Sequence, residues 1–113
     1  MSRKSHNRSA ARHRSPVFAA LGDETRLALV RSLSAGRARS ISELAKGSKM
    51  TRQAITKHLR VLERAGIVRC VRAGRESRFE FDPRPIEESM QYLDLVSKQW
   101  DQALSRLKSF VED

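Results

Sequence analysis

The sequence predicts a mainly α-helical fold with a small β-hairpin and a long closing helix. Three patterns indicate it. Up to residue 66, apolar residues recur at helical spacing in short runs that end at glycines. Residues 67–82 change to β-type residues around a glycine turn. From residue 86 onward, apolar residues alternate at spacings of four and three, with no glycine or proline among them.

The first two predicted helices are short. The first ends at Gly22, and Asp23 is the predicted N-cap of the second, which ends near Gly36. The apolar residues of the first are Val17, Phe18 and Leu21. Those of the second are Leu27, Leu29, Val30 and Leu33.

Two further helices joined by a glycine-containing turn form a helix-turn-helix pattern. The first helix is predicted over Ser42–Lys46, with Ser42 as its N-cap, and the turn over residues 47–50. Thr51 is the predicted N-cap of the second helix, Arg52–Ala65, which Gly66 ends.

The second helix of this pattern has two faces. At about 100° per residue, Ile55, Leu59 and Leu62 gather on one side, where they face a core. The opposite side carries polar and basic groups, which suit base edges and phosphates of DNA. The predicted DNA-contacting residues of the motif are Ser42, Thr51, Arg52, Gln53, Thr56, Lys57 and Arg60.

The β-type segment predicts a hairpin with a basic turn. Its two strands flank Ala73–Glu76, and Arg72, Arg75 and Arg78 lie around Gly74. A hairpin placed after a recognition helix contacts the neighbouring DNA backbone or minor groove, where arginine is favoured. The alternative is a charged hairpin that only keeps the chain in solution.

The charge distribution separates the chain into parts. The net charge is +10, which points to a polyanionic partner. Residues 1–14 hold five basic groups and no acid, and we expect a disordered basic arm there. Residues 15–82 hold 14 basic and seven acidic groups, whereas residues 83–113 hold four and six. The closing segment therefore has a role other than contacting a polyanion.

That role is predicted to be dimerisation. An apolar seam along one long helix would leave a large exposed patch on a monomer, and pairing two copies buries it. The alternative is a helix that folds back on its own domain. The seam comprises Ile86, Met90, Leu93, Ser97, Trp100, Leu104, Leu107 and Val111. The predicted dimer-interface residues are Val17, Phe18, Leu21, Met90, Leu93, Trp100, Leu104 and Leu107.

Four stretches form a combined pattern that is more specific than any one of them: Phe18–Leu27, Ile41–Ala45, Thr51–Val68 and Gly74–Glu76. Together they resemble the ArsR/SmtB family of bacterial repressors. The resemblance covers about residues 16–82 and implies a winged helix-turn-helix homodimer. It also implies that such a dimer binds a near-palindromic operator in double-stranded DNA and represses transcription.

The metal-sensing motifs of that family are missing. Ser40 and Ser42 occupy the positions of a cysteine pair, and hydroxyls are poor ligands for thiophilic ions. The last helix has carboxylates but no histidine. We therefore predict a branch of the family with no metal and no other cofactor, and the sequence leaves an inducing small molecule unknown.

Other classes of function fit the sequence less well. No apolar run is long enough to span a membrane, and the start lacks a secretory signal, so a cytoplasmic regulator is expected. No nucleophile motif or phosphate-binding loop indicates an enzyme. The remaining alternative is a non-specific architectural DNA-binding protein, because the charge alone permits it.

Overall fold

In the part of the chain that the computed structural model describes, residues 16–112, helices and short strands follow one another in the predicted order. The predicted basic arm over residues 1–14 lies outside this range. The described part of the first helix, α1, covers residues 16–21. The following elements are α2 (Glu24–Ser34), β1 (Arg39–Ser40), α3 (Ile41–Lys46), α4 (Arg52–Arg64), β2 (Val68–Ala73), β3 (Glu76–Phe81) and α5 (Arg84–Glu112).

The core lies between α4, α2 and the sheet. Ile55, Leu59 and Leu62 of α4 have no exposed surface, as their spacing predicts. Burying a side chain of this size stabilises a fold by about 1.5–3 kcal/mol. The other buried apolar residues described are Val17, Ala20, Leu29, Val30, Leu33, Leu44, Ile67, Val68 and Phe79.

The sheet has three antiparallel strands in the order β1-β3-β2. β2 and β3 form the predicted hairpin, in which Cys70 lies opposite Phe79 and Gly74 adopts a φ of +67° in the turn. The third strand, β1, was not predicted. Its two residues lie opposite Phe79 and Arg78, so β3 is the central strand.

Hydrogen bonds at the helix starts confirm two predicted N-caps and correct one. Asp23 accepts from the backbone N–H of Arg26, and Thr51 accepts from that of Ala54. The prediction of Ser42 as the cap of α3 is wrong, because the helix begins at Ile41. The cap is Ser40, whose Oγ accepts from the backbone N–H of Glu43 at 3.2 Å.

Arg26 connects three helices. Its Nε donates to the carbonyl oxygen of Ala20 at 2.6 Å, and its Nη2 donates to that of Ala19 at 3.3 Å. Its Nη1 lies 3.4 Å from Nδ1 of His58 on α4. The backbone N–H of Arg26 also holds the pKa of the Asp23 carboxyl below its usual range. The end of α1, the start of α2 and the middle of α4 therefore share one polar cluster.

An ion pair begins the closing helix. The carboxylate of Asp82 accepts from the backbone N–H of Arg84 at 3.1 Å and from its guanidinium at 2.7 Å. Side-chain hydrogen bonding from Arg84 lowers the pKa of Asp82 from 3.8 to about 2. Asp82 is 9% exposed. After the pair, Ile86 packs on the core, and α5 then runs on with its apolar side chains exposed.

Asp82→Asn is expected to reduce stability at neutral pH by about 1 kcal/mol, since the other partner is exposed and solvent screens the pair. The folded-state pKa is lowered, so the unfolded chain binds the proton more readily. The contribution of Asp82 is therefore complete above about pH 4 and is lost as the pH falls toward 2. Urea unfolding of both proteins at pH 7 and pH 3, at one protein concentration, measures the change.

Asp94→Asn is the matched control, because Asp94 is exposed and pairs with Lys98 on the surface of the helix. We expect it to change the free energy of unfolding by a few tenths of a kcal/mol at either pH. A loss in Asp82→Asn that stays constant from pH 7 to pH 3 would contradict the assigned ion pair.

Gly66→Ala is expected to destabilise the domain by about 1–2 kcal/mol, because Gly66 has a φ of +78° where α4 turns into β2. An added Cβ would also lie 3.5 Å from Cγ of Pro85, which is ordinary contact, so strain in the backbone sets the loss. Gly36→Ala is the control, since Gly36 has a negative φ and no atom within 4 Å of an added Cβ. Thermal unfolding measures the stability of both variants. An equal loss of stability in the two would contradict backbone strain as the cause.

Candidate nucleic-acid interface

The outer face of α4 is polar and exposed. Arg52, Gln53 and Lys57 are exposed, and Thr56 is half-buried. This orientation follows from the buried apolar side, since rotating α4 about its axis would expose Ile55 and bury charge. The N-terminal turns of such a helix are the part that enters the major groove.

Some side chains of this face already have intramolecular partners. Thr56 Oγ1 donates to the backbone carbonyl oxygen of Arg52 at 2.8 Å. Arg60 pairs with Glu63 at 3.1 Å, which offsets part of its charge. Within residues 16–112, Arg52 and Lys57 take part in none of the ion pairs observed. Their charges are therefore available to a ligand.

An open depression of about 640 Å³ lies where α3 meets the outer face of α4. It brings five predicted DNA-contacting residues together on one surface. Ile41, which was not among the predicted DNA-contacting residues, adds an apolar group to the lining. The lining residues are Ile41, Ser42, Arg52, Gln53, Thr56 and Lys57.

The hairpin separates its three predicted arginines. Arg75 is exposed in the turn, and Arg72 is exposed on β2, with Nη1 3.4 Å from Oγ of Ser77. Arg78 lies on the central strand, where its Nε is 3.1 Å from a carboxylate oxygen of Glu76. Arg75 is therefore the most accessible cation of the three, and Arg78 carries the least free charge.

The exposed apolar residues of the chain lie mainly on α5. Phe18 of α1 lies beside them, with its ring centroid 6.4 Å from that of Tyr92, and Leu21 is half-buried. The prediction that Val17 contributes to a dimer interface is wrong, because Val17 is 2% exposed and packs in the core of its own chain. Exposed between 50% and 68% are Met90, Leu93, Trp100, Leu104 and Leu107.

The structural roles of Ser40 and Arg26 were not predicted, although each residue stands at a recognisable spacing in the sequence. Ser40 and Glu43 have the serine-x-x-glutamate spacing of a capping box, which marks Ser40 as the cap. Arg26 lies three residues after a capping aspartate, but its contacts with α1 and His58 depend on tertiary packing. The contact of His58 with Arg26 gives this histidine a structural role.

In the described residues, no group of three or more histidine, cysteine, aspartate or glutamate side chains is arranged to hold a metal ion. The same part of the chain contains no helix that is both long and apolar enough to cross a membrane.

Comparisons with known proteins identify relatives of this chain. Residues 21–71 match a family model described as a helix-turn-helix domain. The uncharacterized HTH-type transcriptional regulator YuzN of Bacillus subtilis is 36% identical over 81 residues, which are 66% of this chain and 88% of that protein.

Two solved structures share the fold over most of their length. An ArsR-like transcriptional regulator from Rhodococcus sp. RHA1 is 34% identical with a TM-score of 0.80, over 90% of this chain and 95% of that one. A second ArsR family transcriptional regulator is 30% identical with a TM-score of 0.72, over 80% and 93% of the two chains. These proteins are regulators of transcription and not enzymes. With its helix-turn-helix, its hairpin wing and these relatives, the chain belongs to the ArsR family of DNA-binding transcriptional regulators.

Proposed function

We propose that this regulator is a repressor that binds a near-palindromic operator as a homodimer. The observation that carries the proposal is the division of α4, whose apolar side has no exposed surface while its outer side is polar and basic. A helix of this kind fills the major groove without exposing apolar groups to solvent.

Base reading is assigned to the first turns of α4. Arginine makes bidentate hydrogen bonds to guanine, and glutamine does so to adenine. Arg52 and Gln53 are exposed at the start of the helix, where they reach base edges. Ser42, Thr51 and Thr56 lie beside them, and Lys57 and Arg60 are placed to contact phosphate.

The wing is assigned to the DNA backbone. Arg75 extends from a turn in which nothing lies within 4 Å of a Cβ built on Gly74, so the surface there is open to a phosphate or a minor groove. Arg72 and Arg78 add positive charge behind it. Contacts of this type position a protein on DNA without selecting a sequence.

Dimerisation is assigned to α5 and the exposed part of α1. The apolar seam of α5 would leave an extended patch in water if the chain stayed single. A two-fold pair of such helices places two copies of α4 about 34 Å apart, which is one turn of DNA. Repression follows when the operator overlaps a promoter. A transcriptional reporter fused to that promoter tests this, because its expression should rise when the regulator is removed.

Arg52→Ala and Gln53→Ala are each expected to reduce discrimination between operator and random DNA by about 1–3 kcal/mol, because each removes a contact to a base edge. Arg75→Ala is expected to weaken binding to both DNAs alike and to reduce the salt slope by about one ion, because it removes a phosphate contact. Gel-shift titrations against both DNAs at several salt concentrations measure these changes.

Arg106→Ala is the control for lost positive charge, because Arg106 is exposed on α5, outside the proposed DNA-binding surface. Binding by this variant should equal that of the parent protein within about twofold. Equal losses of discrimination in the α4 and wing variants would argue against the proposed division of roles. Operator affinity no higher than random-DNA affinity in the parent would rule out a sequence-specific repressor.

Leu104→Lys is expected to convert the dimer to a monomer at micromolar concentration, because it places a charge in the apolar seam. Leu95→Lys is the matched control. Leu95 is 56% exposed and Leu104 is 61% exposed, but their separation of nine positions, at about 100° per residue, places the two on opposite sides of α5. Sedimentation velocity measures the oligomeric state of both variants, and a dimer in Leu104→Lys or a monomer in Leu95→Lys would contradict the assigned face.

A further inference from the structure

The depression between α3 and α4 differs in chemistry from the polar surface around it. Ile41 and Thr56 line it with apolar groups, while Arg52 and Lys57 carry positive charge on the same surface. We propose that it receives the 5-methyl group of one thymine in each operator half-site. This inference rests on the proposed function, because it requires that α4 enters the major groove.

Thr56 is the first support. Its hydroxyl donates a hydrogen bond to the backbone carbonyl oxygen of Arg52 at 2.8 Å, so its proton is not available to a base. With the oxygen turned toward the helix backbone, the methyl group is the part of this side chain that a ligand in the depression meets. Methyl groups of threonine make apolar contacts with the thymine methyl in protein–DNA complexes.

Ile41 is the second support. It is half-buried and packs against the core beside Leu44, so its position is held by the fold. The buried cap Ser40 directly precedes it and fixes the start of α3. An apolar side chain held in place at the edge of a polar reading surface offers a contact to a base substituent that is itself apolar.

The surrounding charges select the kind of occupant. Arg52 and Lys57 take part in none of the ion pairs observed within residues 16–112, so an anionic ligand with an apolar group fits this surface better than a neutral one. Of the four bases, only thymine presents a methyl group in the major groove. Gln53 lines the same depression, where it can bond the adenine of the same or the next base pair.

The test begins with operators selected from random duplex DNA by the full chain. Each thymine of the selected half-site is then replaced by uracil, which deletes only the 5-methyl group. At one position we expect about a fourfold loss of affinity for one substituted half-site, the factor that corresponds to burying one methylene-sized group. Substituting both half-sites should multiply the losses to about 15-fold. Uracil at the other thymines should leave affinity nearly unchanged.

Two variants assign the effect to this depression. Thr56→Ser keeps the hydroxyl and deletes the methyl, so it should lose a large part of the preference for thymine over uracil, with the remainder due to Ile41. Thr56→Val keeps a methyl group and deletes the hydroxyl, so it should retain the preference for thymine. Circular dichroism and the oligomeric state of both variants establish that they remain folded dimers before affinities are compared.

The outcomes separate the inference from the function beneath it. If selection yields no preferred sequence, the proposed repressor function fails, and this inference fails with it. If a preferred operator emerges but uracil is tolerated at every thymine, the inference alone is overturned. A thymine preference that Thr56→Ser retains in full also overturns it, because the methyl contact then lies elsewhere.

Discussion

One side of α4 is completely buried, and its packing sets the geometry of the domain. Ile55, Leu59 and Leu62 have no exposed surface and lie at the centre of the core. Their packing fixes the rotation of α4 about its axis, and that rotation decides which residues face outward. The same contacts therefore fold the domain and orient the surface that we propose reads DNA, so buried core residues determine where Arg52 and Gln53 point.

Polar contacts hold the other helices to this centre. Arg26 donates to two backbone carbonyl groups in the last turn of α1 and lies beside His58 of α4. Asp23 caps α2 within the same cluster, with a carboxylate oxygen 3.8 Å from Nδ1 of His58. At the other end of the domain, the Asp82–Arg84 pair fixes the start of α5 against the base of the hairpin. Apolar packing supplies the stability, and these polar contacts set the directions in which the outer helices leave the core.

The parts of the fold that local patterns determine could be predicted from the sequence. The buried and exposed sides of α4, the hairpin and the exposed seam of α5 follow from periodicity, and Asp23 and Thr51 follow from capping chemistry. Two predictions, the role of Val17 and the cap of α3, were wrong for different physical reasons. Val17 lies on a short apolar face of α1, part of which packs in the core of its own chain and part of which lies beside α5. The spacing of apolar residues cannot tell which residue makes which contact. For α3, Ser42 was predicted as the cap, but the glutamate three residues after Ser40 marks Ser40 instead. The two residues of β1 form a strand only because β3 lies beside them, so no local pattern indicates that strand.

Ser40 has several structural roles at one position. It pairs with Arg78 in the sheet, it caps α3, and it is only 3% exposed. The helix-turn-helix and the wing are thus joined at a residue that cannot shift in one element without shifting in the other. The span from the start of α4 to the hairpin turn is therefore a fixed dimension of the domain. A duplex whose groove spacing does not match this span has to bend or twist to fit, and its local flexibility becomes part of what the protein selects.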